Sequence, residues 1–186
     1  MRTRFTNLEI SGVILVEPQI FGDERGYFME SYNQAEFQAH GITANFVQDN
    51  QSSSCYGVIR GLHCQKPPFA QDKLIRVLWG QILDVVVDAR LDSHTYGQHL
   101  TAKLSSDNQH QLFIPKGCLH GFAVLSEHAV IAYKCDQFYH PEAELTVRYD
   151  DPALNIAWPI PDSKRILSTK DRNATLTLEE LNLSSD

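Results

Sequence analysis

Short β-branched and aromatic runs, separated by turn residues at a spacing of roughly ten, set the rhythm of this chain. They predict strands at Gly12–Glu17, Tyr27–Tyr32, Phe46–Ser52, Gly57–His63, Lys73–Trp79, Ile82–Asp88, His99–Leu104, Leu112–Ile114, Gly121–Leu125, Ala129–Phe138 and Leu145–Tyr149. The separators carry turn chemistry: Phe21-Gly22-Asp23-Glu24-Arg25-Gly26, Pro67-Pro68, Ser105-Ser106-Asp107-Asn108 and Pro115-Lys116-Gly117. Helical signal is thin. Asn33–His40 predicts one short helix, with Asn33 as N-cap and Gly41 as its stop. Thr177–Leu181 predicts a second, with Thr177 and Glu180 at capping-box spacing. The expectation is an all-β, antiparallel sandwich or barrel with short peripheral helices. Without βαβ alternation or a glycine-rich phosphate loop, dinucleotide-binding and P-loop folds are excluded.

Strand parity assigns side chains to faces. In Lys73–Trp79 the odd positions are Lys73, Ile75, Val77 and Trp79, so a lysine shares a face with three large apolar groups. In Ala129–Cys135 they are Ala129, Ile131, Tyr133 and Cys135, which puts a tyrosine on a small apolar face. A lysine and a tyrosine projecting into an apolar interior are costly unless paired or used.

At 186 residues and 21.1 kDa, residues 1–186 predict a single domain, and 42% apolar with 21% charged residues is ordinary globular composition. The net charge of -7 argues against nucleic-acid binding. An anionic substrate would need locally gathered cations. No apolar run reaches the ~20 residues of a membrane span, and no signal peptide opens the chain. Cys55, Cys64, Cys118 and Cys135 form no CxxC pair, so free thiols and a cytoplasmic location are expected.

Three constellations carry chemistry, and each alone also fits a structural role. In the first, Arg60-Gly61-Leu62-His63 is followed by Gln65 and Lys73, which places a proton-transfer histidine ten residues before a lysine across an expected hairpin. Arg60 and His63 have opposite parity on an ideal strand, and Gly61 is the place for a bulge that turns both to one site. The second is His120, delivered by the Pro115-Lys116-Gly117 turn. The third is Tyr133-Lys134, with Tyr139, Pro141 and Glu144 beyond, where a neighbouring cation would lower the tyrosine pKa. Metal-binding jelly rolls use an HxH pair with a downstream glutamate. Here His63 is followed by Cys64 and Gln65, so no metal is expected.

Read in order, Phe21–Gly26, Phe46–Asn50, Gly57–His63, Gln71–Leu74, Asp84–Asp88, Ile114-Pro115, His120-Gly121-Phe122, Tyr133-Lys134, Asp150-Asp151-Pro152 and Leu167–Asp171 resemble the dTDP-4-dehydrorhamnose 3,5-epimerase family over roughly residues 12 to 171. The resemblance implies a cupin-like jelly roll, a homodimer, and activity without metal or cofactor. The implied reaction converts dTDP-4-dehydro-6-deoxy-D-glucose, a dTDP-4-keto-6-deoxy sugar, to dTDP-4-dehydro-L-rhamnose.

Carried over by position, His63 resembles the general base and Asp171 the carboxylate that orients it. Tyr133 resembles the general acid, and Lys73 the cation at the sugar's C4 oxygen. Arg25, Glu30, Gln48, Asn50, Arg60, His120, Glu144 and Lys170 match substrate-binding positions, and Tyr139 matches the aromatic that stacks on thymine. Arg25, Glu30, Gln48 and Asn50 are expected from the partner subunit of a shared site. Cys64, Asp72 and Cys118 depart from the family's usual aromatic, glycine and alanine. Relatives that act at C3 or C5 alone, a 3,4-ketoisomerase of the same fold, and a non-catalytic sugar-nucleotide-binding jelly roll are the alternatives.

Overall fold

The computed structural model describes residues 3–183. With strands numbered in chain order, one six-stranded sheet runs β1 (Arg4–Asn7), β2 (Ile14–Glu17), β10 (Gln111–Ile114), β7 (Lys73–Trp79), β12 (His128–Cys135) and β5 (Gln48–Cys55). A five-stranded sheet runs β13 (Glu144–Thr146), β6 (Ile59–Gln65), β11 (Cys118–Val124), β8 (Gln81–Asp88) and β9 (His99–Ser105). Strands β3 (Ile20–Asp23) and β4 (Gly26–Met29) form a separate hairpin. All strand pairs in the sheets are antiparallel. From β5 to β13 the chain changes sheet at each connection except β8 to β9. That alternation is a jelly roll of cupin type, and it closes two half-apolar sheets over one interior.

The interior follows period-2 patterning. Ile75, Val77, Leu112, Ile114, Ala129 and Ile131 of one sheet meet Ile82, Val86, Leu104, Cys118, Phe122 and Val124 of the other. Strand β8 is buried on both faces. Its Val85 and Val87 point outward into a second cluster, closed by Leu154, Trp158, Ile160, Leu178 and Leu181 of the C-terminal segment. A third cluster lies outside the six-stranded sheet. There α1 (Gln34–Ala39) seats Phe37 against Ile14, Val16, Leu74 and Phe113. The Asn33 side chain accepts from the Ala35 and Glu36 amides, and Gly41 at φ +88° leaves the helix in the left-handed region. Truncating Phe37 to alanine is expected to cost about 3–5 kcal/mol.

Several expectations are corrected. The segment Phe21–Gly26, expected as a turn, is most of the β3–β4 hairpin, with only Glu24-Arg25 in its tip. Strand β12 ends at Cys135, short of Phe138. Trp79 leaves the apolar face assigned to it. A register shift pairs Val130 with Trp79 and Ile131 with Val77, so Leu78 is an extra residue and the parity breaks there. Trp79 is 67% exposed as a result. Thr177 and Glu180 make the capping-box bonds, but the segment closes only a turn. The helix near the C-terminus is instead α2 (Thr169–Arg172), capped by Ser168. All four cysteines are free thiols. Among the described residues no helix is long and apolar enough to cross a membrane.

Candidate active site

The site starts from an irregularity in β6. His63 pairs with His120 and Arg60 with Phe122, so Gly61 and Leu62 together oppose the single residue Gly121. This is a bulge. Gly61 sits at φ +130°, and a Cβ there would lie 2.5 Å from the Gly121 Cα. The extra residue cancels the parity conflict, and Arg60 and His63 line one cavity of about 390 Å³.

Lys73 does not reach His63 across a hairpin, because β6 and β7 belong to different sheets. The two residues line the same cavity from opposite walls. Lys73 shares the six-stranded wall with Tyr133, two residues from its register partner Ile75. Asn50, the other register partner of Tyr133, lies on the edge strand β5. Parity on β5 sends Gln48, Asn50 and Ser52 into the cavity together, with Gln48 Nε2 donating to Asn50 Oδ1 at 3.0 Å. Gln48 and Asn50 are therefore supplied by the same chain as His63, contrary to the expectation of a partner origin. Arg25 and Glu30 are exposed and do not line the cavity; Arg25 lies at the hairpin tip, bound to Asp23.

His63 Nε2 lies 2.6 Å from Asp171 Oδ1. The C-terminal segment brings Asp171 there by running parallel to the start of β6, with Val58 bridged to Ile166. Helix α2 then presents Asp171, whose amide donates to Ser168 Oγ at 3.0 Å and whose Oδ2 accepts from that hydroxyl at 2.9 Å. Burial pushes the Asp171 carboxyl up, but the hydrogen bonds from His63 and Ser168 outweigh it and hold the group below its ordinary value. Directly across the ladder, His120 Nε2 lies 2.9 Å from Asp84 Oδ2. Asp84 is fully buried, its Oδ1 has no hydrogen-bond partner among the described residues, and burial raises its pKa against the opposing pull of His120 and Lys73.

The expected lowering of the Tyr133 pKa by its neighbour is reversed. Burial raises it, the Cys135 thiol adds to the rise, and Arg60 is the cation that opposes it. Lys134 points to the other face of the sheet and pairs with Asp49 at 2.9 Å. Tyr133 thus holds its proton at neutral pH. Burial also pushes Cys64 and Cys135, both near Lys73, up to about 11, so neither is a thiolate near neutrality.

At the rim, Tyr139 donates its hydroxyl to Glu144 Oε2 at 3.0 Å, and Lys170 Nζ lies 2.8 Å from Glu144 Oε1. Arg60, Lys73 and Lys170 gather positive charge in a chain of net charge -7. The sequence reading missed Ser52, which β5 parity marks. It named Gln65 beside His63, and Gln71 and Asp84 within the segments that carry the resemblance, but gave none of the three a role in the site. Among the described residues, no three His, Cys, Asp or Glu side chains come together to hold a metal.

A jelly roll whose cavity sets a histidine–carboxylate pair against a protonated tyrosine and a lysine belongs to the class of proton-transfer jelly rolls. A family model described as dTDP-4-dehydrorhamnose 3,5-epimerase matches residues 7–179, and the chain belongs to that family. The enzyme of that name from Pseudomonas aeruginosa is 50% identical over 168 residues, covering 90% of this chain and 92% of that protein. The one from Methanothermobacter thermautotrophicus is 47% identical, covering 91% and 92%. The crystal structure of a Legionella pneumophila dTDP-6-deoxy-D-glucose-3,5-epimerase, in complex with dTDP-4-keto-L-rhamnose, has 46% identity and a TM-score of 0.92 over 97% of this chain and 95% of that one.

Proposed function

We propose that this protein epimerises C3 and C5 of dTDP-4-dehydro-6-deoxy-D-glucose to give dTDP-4-dehydro-L-rhamnose, a step of dTDP-L-rhamnose synthesis. The observation that carries the reading is the placement of His63, held by Asp171 of α2, and Tyr133 on opposite sheets, with Lys73 beside Tyr133. Protons at C3 and C5 are α to the C4 ketone. His63 takes one from one face of the sugar, and the C–H electron pair becomes the enolate. Negative charge collects on the C4 oxygen, where Lys73 contributes on the order of 3 kcal/mol. Tyr133 returns a proton to the same carbon from the other face, which inverts it. Acid and base each contribute about 10²–10⁴-fold. Asp171, held ionised, fixes the His63 ring and balances its charge once it is protonated. Arg60 and Lys170 serve the diphosphate, Tyr139 takes the thymine, and Gln48, Asn50, His120 and Glu144 hold the sugar nucleotide.

The β3–β4 hairpin supports a shared homodimeric site. It exposes Ile20, Phe21, Tyr27 and Phe28, between 44% and 68%, with Arg25 at its tip. Docked on a second copy, it would deliver Arg25 and Glu30 to that copy's cavity. Mixing Arg25→Ala subunits with His63→Ala subunits should restore one working site per heterodimer, and silent heterodimers would refute the sharing. The shared interior of the two sheets supports one domain over residues 1–186. Free thiols suit a reducing cytoplasm.

Turnover in deuterated water, followed by NMR, tests the main reading. Deuterium at both C3 and C5 of an L-configured product is expected. Label at one carbon alone would make the protein a monoepimerase, and binding without exchange would make it a non-catalytic binder.

A further inference from the structure

The segment Gln137–His140 at the cavity rim has no regular secondary structure, yet glutamine side chains hold a backbone group of each residue. Gln71 Nε2 donates to the Gln137 carbonyl at 2.8 Å, and Gln65 Nε2 to the Phe138 carbonyl at 3.2 Å. The Tyr139 amide donates to Gln48 Oε1 at 3.0 Å, and the His140 amide to Gln65 Oε1 at 2.7 Å. Gln65 thus grips both neighbours of Tyr139. Its Nε2 also donates to the Phe69 carbonyl at 2.7 Å, and the Phe69 ring stacks on the His140 ring with centroids 3.7 Å apart.

Gln65 lies two residues beyond His63 on β6, on the same face, at the position where a metal-binding jelly roll places its second histidine. It is 4% exposed, and both ends of its amide are engaged with backbone, so it is not presented to substrate as a free hydrogen-bonding group. Tyr139, by contrast, is 51% exposed. An exposed ring on an irregular segment would normally sample several orientations, and a ligand stacking on it would bear the ordering cost.

We infer that Gln65 is the positioning residue of the nucleotide end of the site: it fixes the backbone on both sides of Tyr139 so that the ring stands ready for a flat nucleobase. This inference rests on the reading of Tyr139 as the base-stacking residue. Gln65 acts through backbone and not on the reacting carbons, so its loss falls on binding and leaves the enolate step nearly intact.

The probe is thymidine diphosphate, titrated calorimetrically, alongside kcat and KM with the 4-keto sugar nucleotide. Gln65→Glu keeps the shape and the acceptor for the His140 amide but cannot donate to the Phe69 and Phe138 carbonyls. It is expected to weaken diphosphate binding and raise KM about tenfold or more, with kcat within about threefold of the parent. Tyr139→Ala is expected to lose a similar factor. The double variant should lose no more than about threefold beyond the worse single, because both changes remove one platform. Parent-like affinity in Gln65→Glu overturns the inference, as do losses that multiply in the double variant or a fall in kcat at constant KM. If Gln65→Glu does not fold, Gln65→Met carries the test: it removes the bonds to the Phe69 and Phe138 carbonyls and the His140 amide without burying a charge, and is expected to weaken binding about tenfold; parent affinity there overturns the inference equally. Tyr139→Ala with undiminished affinity would sink the base-stacking reading itself. An effect of Tyr139→Ala without one of Gln65→Glu would sink only the role of Gln65.

Discussion

Two histidines, His63 and His120, face each other across one strand ladder and line the cavity, each bound to an aspartate, and the two pairs are electrostatically unlike. His63–Asp171 is the shorter, at 2.6 Å against 2.9 Å for His120–Asp84. Asp171 is capped by Ser168 and sits near Lys170, and its carboxyl is held below the ordinary value. Asp84 is sealed in the interior with one oxygen unpartnered among the described residues, and its carboxyl is held above the ordinary value. The first carboxylate keeps its charge and can support a histidine that gains and loses a proton. The second holds its charge reluctantly. Identical residue types at similar distances therefore serve different ends, and the surroundings of the aspartate decide which.

The widest separation between the pairs should come from the histidines. His63→Ala is expected to abolish both inversion and solvent exchange at C3 and C5, a loss of about 10⁴-fold. Near-normal deuterium wash-in would move the base elsewhere, with His120 the next group to try. Asp171→Asn should lower kcat about 10³-fold, since an amide can neither balance the imidazolium nor enforce the ring's tautomer. Equal losses in Asp171→Asn and Asp84→Asn would erase the distinction drawn here.

Tyr133→Phe should depress inversion about 10²-fold and exchange less, because His63 can still remove a proton and return a deuteron to the same face. The ratio of washed-in deuterium to inverted product measures this. Equal slowing of both would leave the opposite-face arrangement without support.

The smallest activity effect is expected for Asp84→Asn, below about tenfold, the scale of one modest hydrogen bond. Its signature lies in stability against pH. A carboxyl whose folded pKa is raised above its ordinary 3.8 contributes fully below that pH, and the contribution is lost as pH rises through the folded value. Asp171 has the opposite sign: its contribution is present above 3.8 and is lost as pH falls through its lowered value. The melting temperature of Asp84→Asn relative to the parent should therefore climb as pH rises from about 4 toward neutrality. A difference that shrinks over that range would contradict the assignment.

How much of this was legible beforehand depended on the range of the interaction. Lys73–Trp79 has the strand bounds expected of it, and the inward set Ala129, Ile131, Tyr133 and Cys135 is as parity assigned it. Asn33 caps α1 because its side chain competes for amides two and three residues away. Local signals failed where a distant partner intervened. Trp79 lost the face that parity assigned it to a bulge against β12. Thr177 and Glu180 formed their bonds, but no helix followed. The Tyr133 pKa followed burial, not the adjacent Lys134, which lies on the other side of the sheet.

The linear pattern by itself determined the strand rhythm, the inward faces, the cap of α1 and the stock of reactive groups, because each depends on residues within a turn or a strand of one another. The tertiary structure alone decided which sheet each strand joins, and so set His63 and Lys73 on opposite walls. It also decided that the Gly61 bulge turns Arg60 to the same cavity as His63, that Asp171 reaches a histidine 108 residues away, and that glutamines from three separate stretches hold the Tyr139 segment. It gave two aspartates of the same ordinary pKa opposite shifts. The reason is physical: burial and long-range hydrogen bonding belong to the packed chain, and no window of sequence contains them.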